Sequence, residues 1–233
     1  FPKPMVVVNR PGAAGTIAAA EIIHAKPDGY TIGISPVAPL TIQPHRTKLT
    51  YGSPEDYKPI IKLVNMPISL AVKSTAPWKN IQEFIVYVKA NPGKVRVGHS
   101  GIGSINHLDV ELLNGMAAID LTAVPFTGGG ESVPALLGGH VEAVSTPHGE
   151  FLPHVQAGKI RVLGVFEEKR NPIFPDVPTF KESGYNITMG IYALAIGPKG
   201  LSPQIVSILH DALKKAMEDP IFTKPMVGKG FDI

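Results

Sequence analysis

Gly98-His99-Ser100-Gly101-Ile102-Gly103-Ser104-Ile105-Asn106-His107-Leu108 is the stretch on which the fold turns. Before it, Val95-Arg96-Val97 alternates as a short strand does; after it, Leu108, Leu112, Leu113 and Met116 recur at helical spacing. A strand, then a turn of glycines and hydroxyls, then a helix presents backbone N–H groups where an anion is favoured. The stretch predicts an α/β scaffold carrying a site for a small negatively charged molecule.

The flanks repeat the pattern. Thr127-Gly128-Gly129-Gly130 follows an expected strand at 122–126 and opens a helix within 129–138. Ser145-Thr146-Pro147-His148 ends an expected strand at 141–145 and precedes a helix near 150–157. Ligands of open α/β sheets collect at the carboxyl ends of strands, so three such junctions of Gly, Ser and Thr predict one shared cleft. Further out, Met5-Val6-Val7-Val8 reads as a buried strand, Gly15 to Ala25 as an alanine-rich helix and Tyr30 to Ser35 as the next strand. Together these make a βαβ unit and predict a partly parallel sheet. Strands are expected at 58–64 and 68–73, broken by Met66-Pro67, and at 160–166 and 191–196. Asn80 with Glu83 forms a capping pattern before the stripe Ile81, Phe84, Ile85 and Val88. Ser202-Pro203 starts a last helix with Ile205, Ile208, Leu209 and Leu213 on one face. Two alternating blocks are thus joined through residues 65–75 and 185–195, which read as a hinge.

Composition narrows the function classes. The 233 residues allow a real core, and 44% hydrophobic with 18% charged residues is ordinary for a globular chain. Lysines and arginines are scattered with no basic cluster of the kind that binds nucleic acid, and the net charge of +3 suits a small anion at least as well. The absence of cysteine removes disulfides, thiolate metal sites and a cysteine nucleophile. No apolar run reaches the roughly 18 residues of a membrane span. The eight histidines show no metal-ligand spacing. A dinucleotide fingerprint fails because the third glycine position is Ser104 or His107 and no acidic residue ends the next strand. A serine-hydrolase elbow fails at Ile102, where the last glycine belongs. Hydroxyls and amides hold an anion but are poor proton-transfer partners, which favours capture over catalysis.

In order and spacing, a set of motifs resembles the substrate-binding receptors of tripartite tricarboxylate transporters, the Bug or TctC-like family. They are Asn9-Arg10-Pro11-Gly12-Ala13-Ala14-Gly15, Lys26-Pro27-Asp28-Gly29-Tyr30-Thr31, the turn at 98–108, Val124-Pro125-Phe126-Thr127-Gly128-Gly129, Leu136-Leu137-Gly138-Gly139-His140-Val141, Leu152-Pro153-His154-Val155-Gln156-Ala157-Gly158-Lys159 and Phe174-Pro175-Asp176-Val177-Pro178-Thr179. The resemblance implies a type II periplasmic-binding-protein fold: two α/β lobes, a two-strand hinge and closure around one ligand. Domain one is expected at 1–70 plus 190–233 and domain two at 71–189. The implied ligand is a small carboxylate, with no cofactor, no metal and no nucleic acid. The implied partners are the permease subunits of the transporter, and the implied receptor is monomeric and periplasmic, with its signal peptide outside this sequence. Ser100, Gly101, Gly103 and Ser104 are expected to hold the carboxylate, and His107 to stand beside them as a further donor. Thr127, Gly128 and Gly129 are expected to add amides and a hydroxyl, and Ser145 and Thr146 to line the cleft. Pro36 and Val37 are expected from the first lobe and Tyr192 near the hinge.

The family pattern begins with a further strand, a Pro-Phe-x-x-Gly-Gly loop and a helix, and continues past Phe231. The expectation is therefore that N- and C-terminal pieces of domain one are missing, with weak folding and poor closure as a result. The chain opens at Phe1 with no methionine. Either a targeting segment has been removed or the chain starts inside a longer protein. Two other functions stay open on the sequence: a serine-dependent hydrolase using Ser100 with His99 or His107, and a sensory receptor on the same fold.

Overall fold

The computed structural model describes residues 4–233, with Gly129 described by its backbone alone; residues 1–3 of the first expected domain lie outside the described residues. In chain order the elements are α1 (Thr16–Ile23), β1 (Gly33–Pro36), α2 (Ala38–Thr41), α3 (Gln43–Arg46), β2 (Tyr57–Lys73), α4 (Ile81–Ala90), β3 (Arg96–His99), α5 (Ile105–Ala117), β4 (Thr122–Pro125), α6 (Gly129–Gly138), β5 (Ala143–Pro147), α7 (His148–Gln156), β6 (Ile160–Val165), β7 (Gly190–Pro198), α8 (Pro203–Met217) and α9 (Pro220–Gly228). Two compact units emerge. One runs through Asn65 and resumes at Tyr192–Gly228, with Ile233; the other comprises Met66–Ile191 and Lys229–Asp232.

In the first unit β1 pairs antiparallel with β7, with Gly33 opposite Ile196 and Pro36 opposite Ala193. Its core gathers Ala19, Ile22 and Ile23 of α1 with Leu40, Tyr51 and Ile196. Helix and strand touch where Gly33 lacks a side chain: a Cβ there would lie 2.0 Å from Ile22 Cδ1. The buried Tyr51 hydroxyl donates to the Pro39 carbonyl at 2.9 Å. Ser202 caps α8 by accepting from the Ile205 amide at 3.3 Å, as its sequence position demands. Only Leu209 of the expected α8 stripe is buried, while Ile208 is 64% exposed.

Met5–Val8 is not a strand. The run lies exposed, Val6 at 86% and Val7 at 84%, and pairs with no strand among the described residues. Apolar β-branched sequence favours an extended chain, but a strand exists only where a neighbour completes its ladder. The expected βαβ unit is therefore absent there, and β1 finds an antiparallel partner instead.

The second unit holds a sheet in the order β4-β3-β5-β2-β6. β3 is parallel to β4 and to β5, whereas β2 runs antiparallel to β5 and β6. Its core joins Ala71, Val144, Val162 and Val165 of the sheet to Val133, Leu136, Phe151 and Leu152 of the helices and to Phe174. The Asn80 cap forms as expected: its Oδ1 accepts from the Glu83 amide at 2.8 Å, and Glu83 reaches back to the Lys79 amide. β2 is one continuous strand across Met66-Pro67. Its ladders with β5 and β6 begin at Ile68 and Ser69, so the donor that Pro67 lacks is not needed by those partners. Residues Lys229–Asp232 belong to this unit, not to the one holding α8 and α9. Gly230 is buried with φ +75°, its carbonyl accepts from Asn171 Nδ2 at 3.4 Å, and Phe231 lies against Gly149.

Candidate functional site

Because β3, β4 and β5 are mutually parallel, their carboxyl ends share one edge of the second unit's sheet, and each runs into a helix N-terminus. At the end of β3 the turn needs its glycines. Gly101 (φ +109°) and Gly103 (φ +76°) hold left-handed conformations that disfavour a side chain. Ser104 caps α5, accepting from the His107 amide at 3.2 Å while its own amide donates to the Gly101 carbonyl at 3.1 Å. The Gly103 amide donates to His107 Nδ1 at 3.2 Å, which places that ring's proton on Nε2, 3.5 Å from Glu111. His99, 4.6 Å away ring to ring, donates from Nδ1 to the Gly101 carbonyl. Burial first, and His107 second, push the His99 pKa down to about 4.

Asn106 ties this turn to the next strand but one. Fully buried, it accepts from the Ser100 hydroxyl at 2.7 Å and donates to the Ser145 carbonyl at 3.1 Å. Among the described residues no hydrogen bond uses the amides of Ser100 and Gly101 or the O–H of Ser104 as donor. Those three donors are what the first junction offers an anion.

The other two junctions differ. At the end of β4 the Thr127 amide donates to Glu131 Oε2 at 3.2 Å, and the Thr127 hydroxyl also serves that carboxylate and holds its pKa down. Gly128 is the N-cap and Gly129 the first residue of α6. At the end of β5 the buried Thr146 hydroxyl donates to Glu150. Ser145 is fully buried, its hydroxyl faces the Asp109 carboxyl, and neither group has any other hydrogen-bond partner among the described residues. Burial drives the Asp109 pKa well above the carboxylate range, with the Ser145 hydroxyl opposing. His148, the first residue of α7, bonds through Nε2 to Ser69 Oγ at 2.6 Å, and burial lowers its pKa to about 4.

Ten of the thirteen expected site residues thus lie at one sheet edge of the second unit. Pro36, Val37 and Tyr192 belong to the first unit: Pro36 ends β1, Val37 caps α2, and Tyr192 adjoins Ala193, the partner of Pro36. Lys62 stands 5.3 Å over the Tyr192 ring. The first unit also contains a cavity of about 700 Å³ walled by Val6, Val8, Ile22, Tyr30 and Ile34. Its cation, Arg10, is paired with Glu21 at 2.8 Å. Sequence reading missed Asn106 as the link, Asp109, and the two glutamates. The glutamates had a signal: a threonine stands four residues before a glutamate at both junctions, Thr127/Glu131 and Thr146/Glu150. A serine nucleophile is not assembled, since the single Ser100 proton goes to Asn106 and not to an imidazole. No described helix is long and apolar enough to cross a membrane.

Comparison with known proteins matches residues 1–233 to the family described as the tripartite tricarboxylate transporter family receptor. The "UPF0065 protein in gbd 5'region" of Cupriavidus necator is 39% identical over 225 residues, covering 96% of this chain and 68% of that protein. A solved structure of a periplasmic transporter superposes with a TM-score of 0.93 at 32% identity, covering 98% of this chain and 77% of the other. MatC from Rhodopseudomonas palustris with bound malate gives a TM-score of 0.87 at 30% identity, covering 95% and 76%. The fold is that of the periplasmic binding proteins of this type.

Proposed function

We propose solute capture as the function of this chain, which belongs to the tripartite tricarboxylate transporter family of receptors. It binds a small carboxylate in the periplasm and hands it to the membrane subunits of such a transporter, acting as a monomer and without turnover. One observation carries the reading: three parallel strands deliver helix N-termini to one edge, and at one of them Ser100, Gly101 and Ser104 keep donors unspent. Oriented N–H and O–H groups at a helix N-terminus hold a carboxylate without needing a lysine or arginine. Asn106 keeps the turn in place, and Pro36, Val37 and Tyr192 are assigned further ligand contacts.

Thermal-shift screening of the full-length protein against mono-, di- and amino-carboxylates tests it. An acid present at a hundred times its dissociation constant adds about 2.7 kcal/mol. The Ser104→Ala variant, which keeps the turn glycines, weakens that acid by about tenfold. Stabilisation by none of the acids overturns the proposal, as does an acid consumed during incubation.

A further inference from the structure

The three junctions are not equivalent in charge. Each helix has a side chain at its third position that reaches back to the strand end: His107 in α5, Glu131 in α6 and Glu150 in α7. Only at the first is the side chain at that position not a carboxylate. At the second, Glu131 takes both the amide and the hydroxyl of Thr127, the groups an incoming carboxylate would use. At the third, Glu150 takes the Thr146 hydroxyl. Lys229, whose stem lies against Gly149, forms no ion pair with either glutamate among the described residues. Beside Thr146 the fully buried Ser145 hydroxyl faces the buried Asp109 carboxyl, and neither has any other hydrogen-bond partner among the described residues. Buried polar groups of this kind are normally completed by a water or a bound molecule.

The β3 junction, in the middle of the edge, therefore attracts a carboxylate, and the junctions on its two sides, above all the exposed Glu131, repel a second one and attract a cationic donor. We propose that Glu131 and Glu150 make this receptor selective for a zwitterion, with one carboxylate and one ammonium group, over a dicarboxylate. The inference rests on the capture reading above and narrows its ligand class. It also sets this chain apart from MatC, whose bound malate carries two carboxylates.

The test is calorimetric titration of the full-length protein with pairs matched in length: β-alanine against succinate, 4-aminobutyrate against glutarate, 5-aminopentanoate against adipate. The expected result is binding of at least one amino acid about tenfold tighter than its dicarboxylate partner. In the Glu131→Gln/Glu150→Gln double variant that ratio collapses toward one or inverts. Glutamine retains an oxygen acceptor at the third helical position, so the caps and the melting temperature persist. Dicarboxylates binding as tightly as their partners in the parent protein overturn the selectivity while leaving capture intact. A preference for amino acids that survives the double variant overturns the assignment to these glutamates. Binding of neither series overturns capture, and this inference with it.

Discussion

At the scale of single residues, ionisable groups buried at the sheet edge make stability depend on pH in opposing directions. His99 and His148 titrate near 4 in the folded chain against an ordinary value of 6.5. Their contribution is complete above 6.5 and falls away as pH drops toward 4, because the unfolded chain takes up protons that the folded one refuses. Glu167 runs the other way. Burial first, opposed by the Asn171 amide, and then the nearby Asp232 raise it from 4.5 to about 7. Its stabilising effect is whole below 4.5 and is lost as pH climbs through 7. The Glu167→Gln variant should therefore gain stability over the parent progressively between pH 4.5 and 7, with no further divergence above. Urea denaturation across that range measures it; a constant difference would show that Glu167 titrates normally. None of this was visible in the linear sequence, where Glu167 and Asp232 stand 65 positions apart.

At the scale of elements, local chemistry was read well wherever a side chain acts on its own turn. Asn80 and Ser202 cap the helices that their sequence positions predict, and Ser104, expected as a ligand contact, caps α5 as well. Replacing Asn80 by alanine strips the Glu83 amide of its acceptor and should cost about 1 kcal/mol, read as a lowered urea midpoint at unchanged slope. Asn80→Ser, which can still cap, should recover most of it. Reading failed where a strand's fate depends on a remote partner. Met5–Val8 carries strong β character but no ladder. The proline at 67 reads as a break, yet β2 passes through it, its ladders with β5 and β6 beginning at Ile68 and Ser69. The α8 stripe was likewise overread, since helical spacing cannot say whether a surface exists for Ile208 to cover.

At the scale of the whole chain, the tail joins a unit distant from it in sequence. Lys229–Asp232 packs in the second unit, with Phe231 against Gly149 and the Gly230 backbone beside His148 and Asn171. A chain ending at Gly228 should melt lower and let water reach the His148 ring. Its pKa should then rise from about 4 toward 6.5, followed by NMR titration. An unmoved histidine titration would mean that the ring owes its burial to Phe151 and Phe174 alone, which pack 6.1 and 5.0 Å from it. The sequence by itself determined the α/β class, the helix caps and the glycine turns, because these depend on residues within a few positions of one another. Only the tertiary structure decided that Asn106 locks two of the three junctions together and that two of the three are already occupied by the chain's own carboxylates. Those facts depend on strand direction and register, which are fixed by burial of the sheet against its helices and not by any local signal.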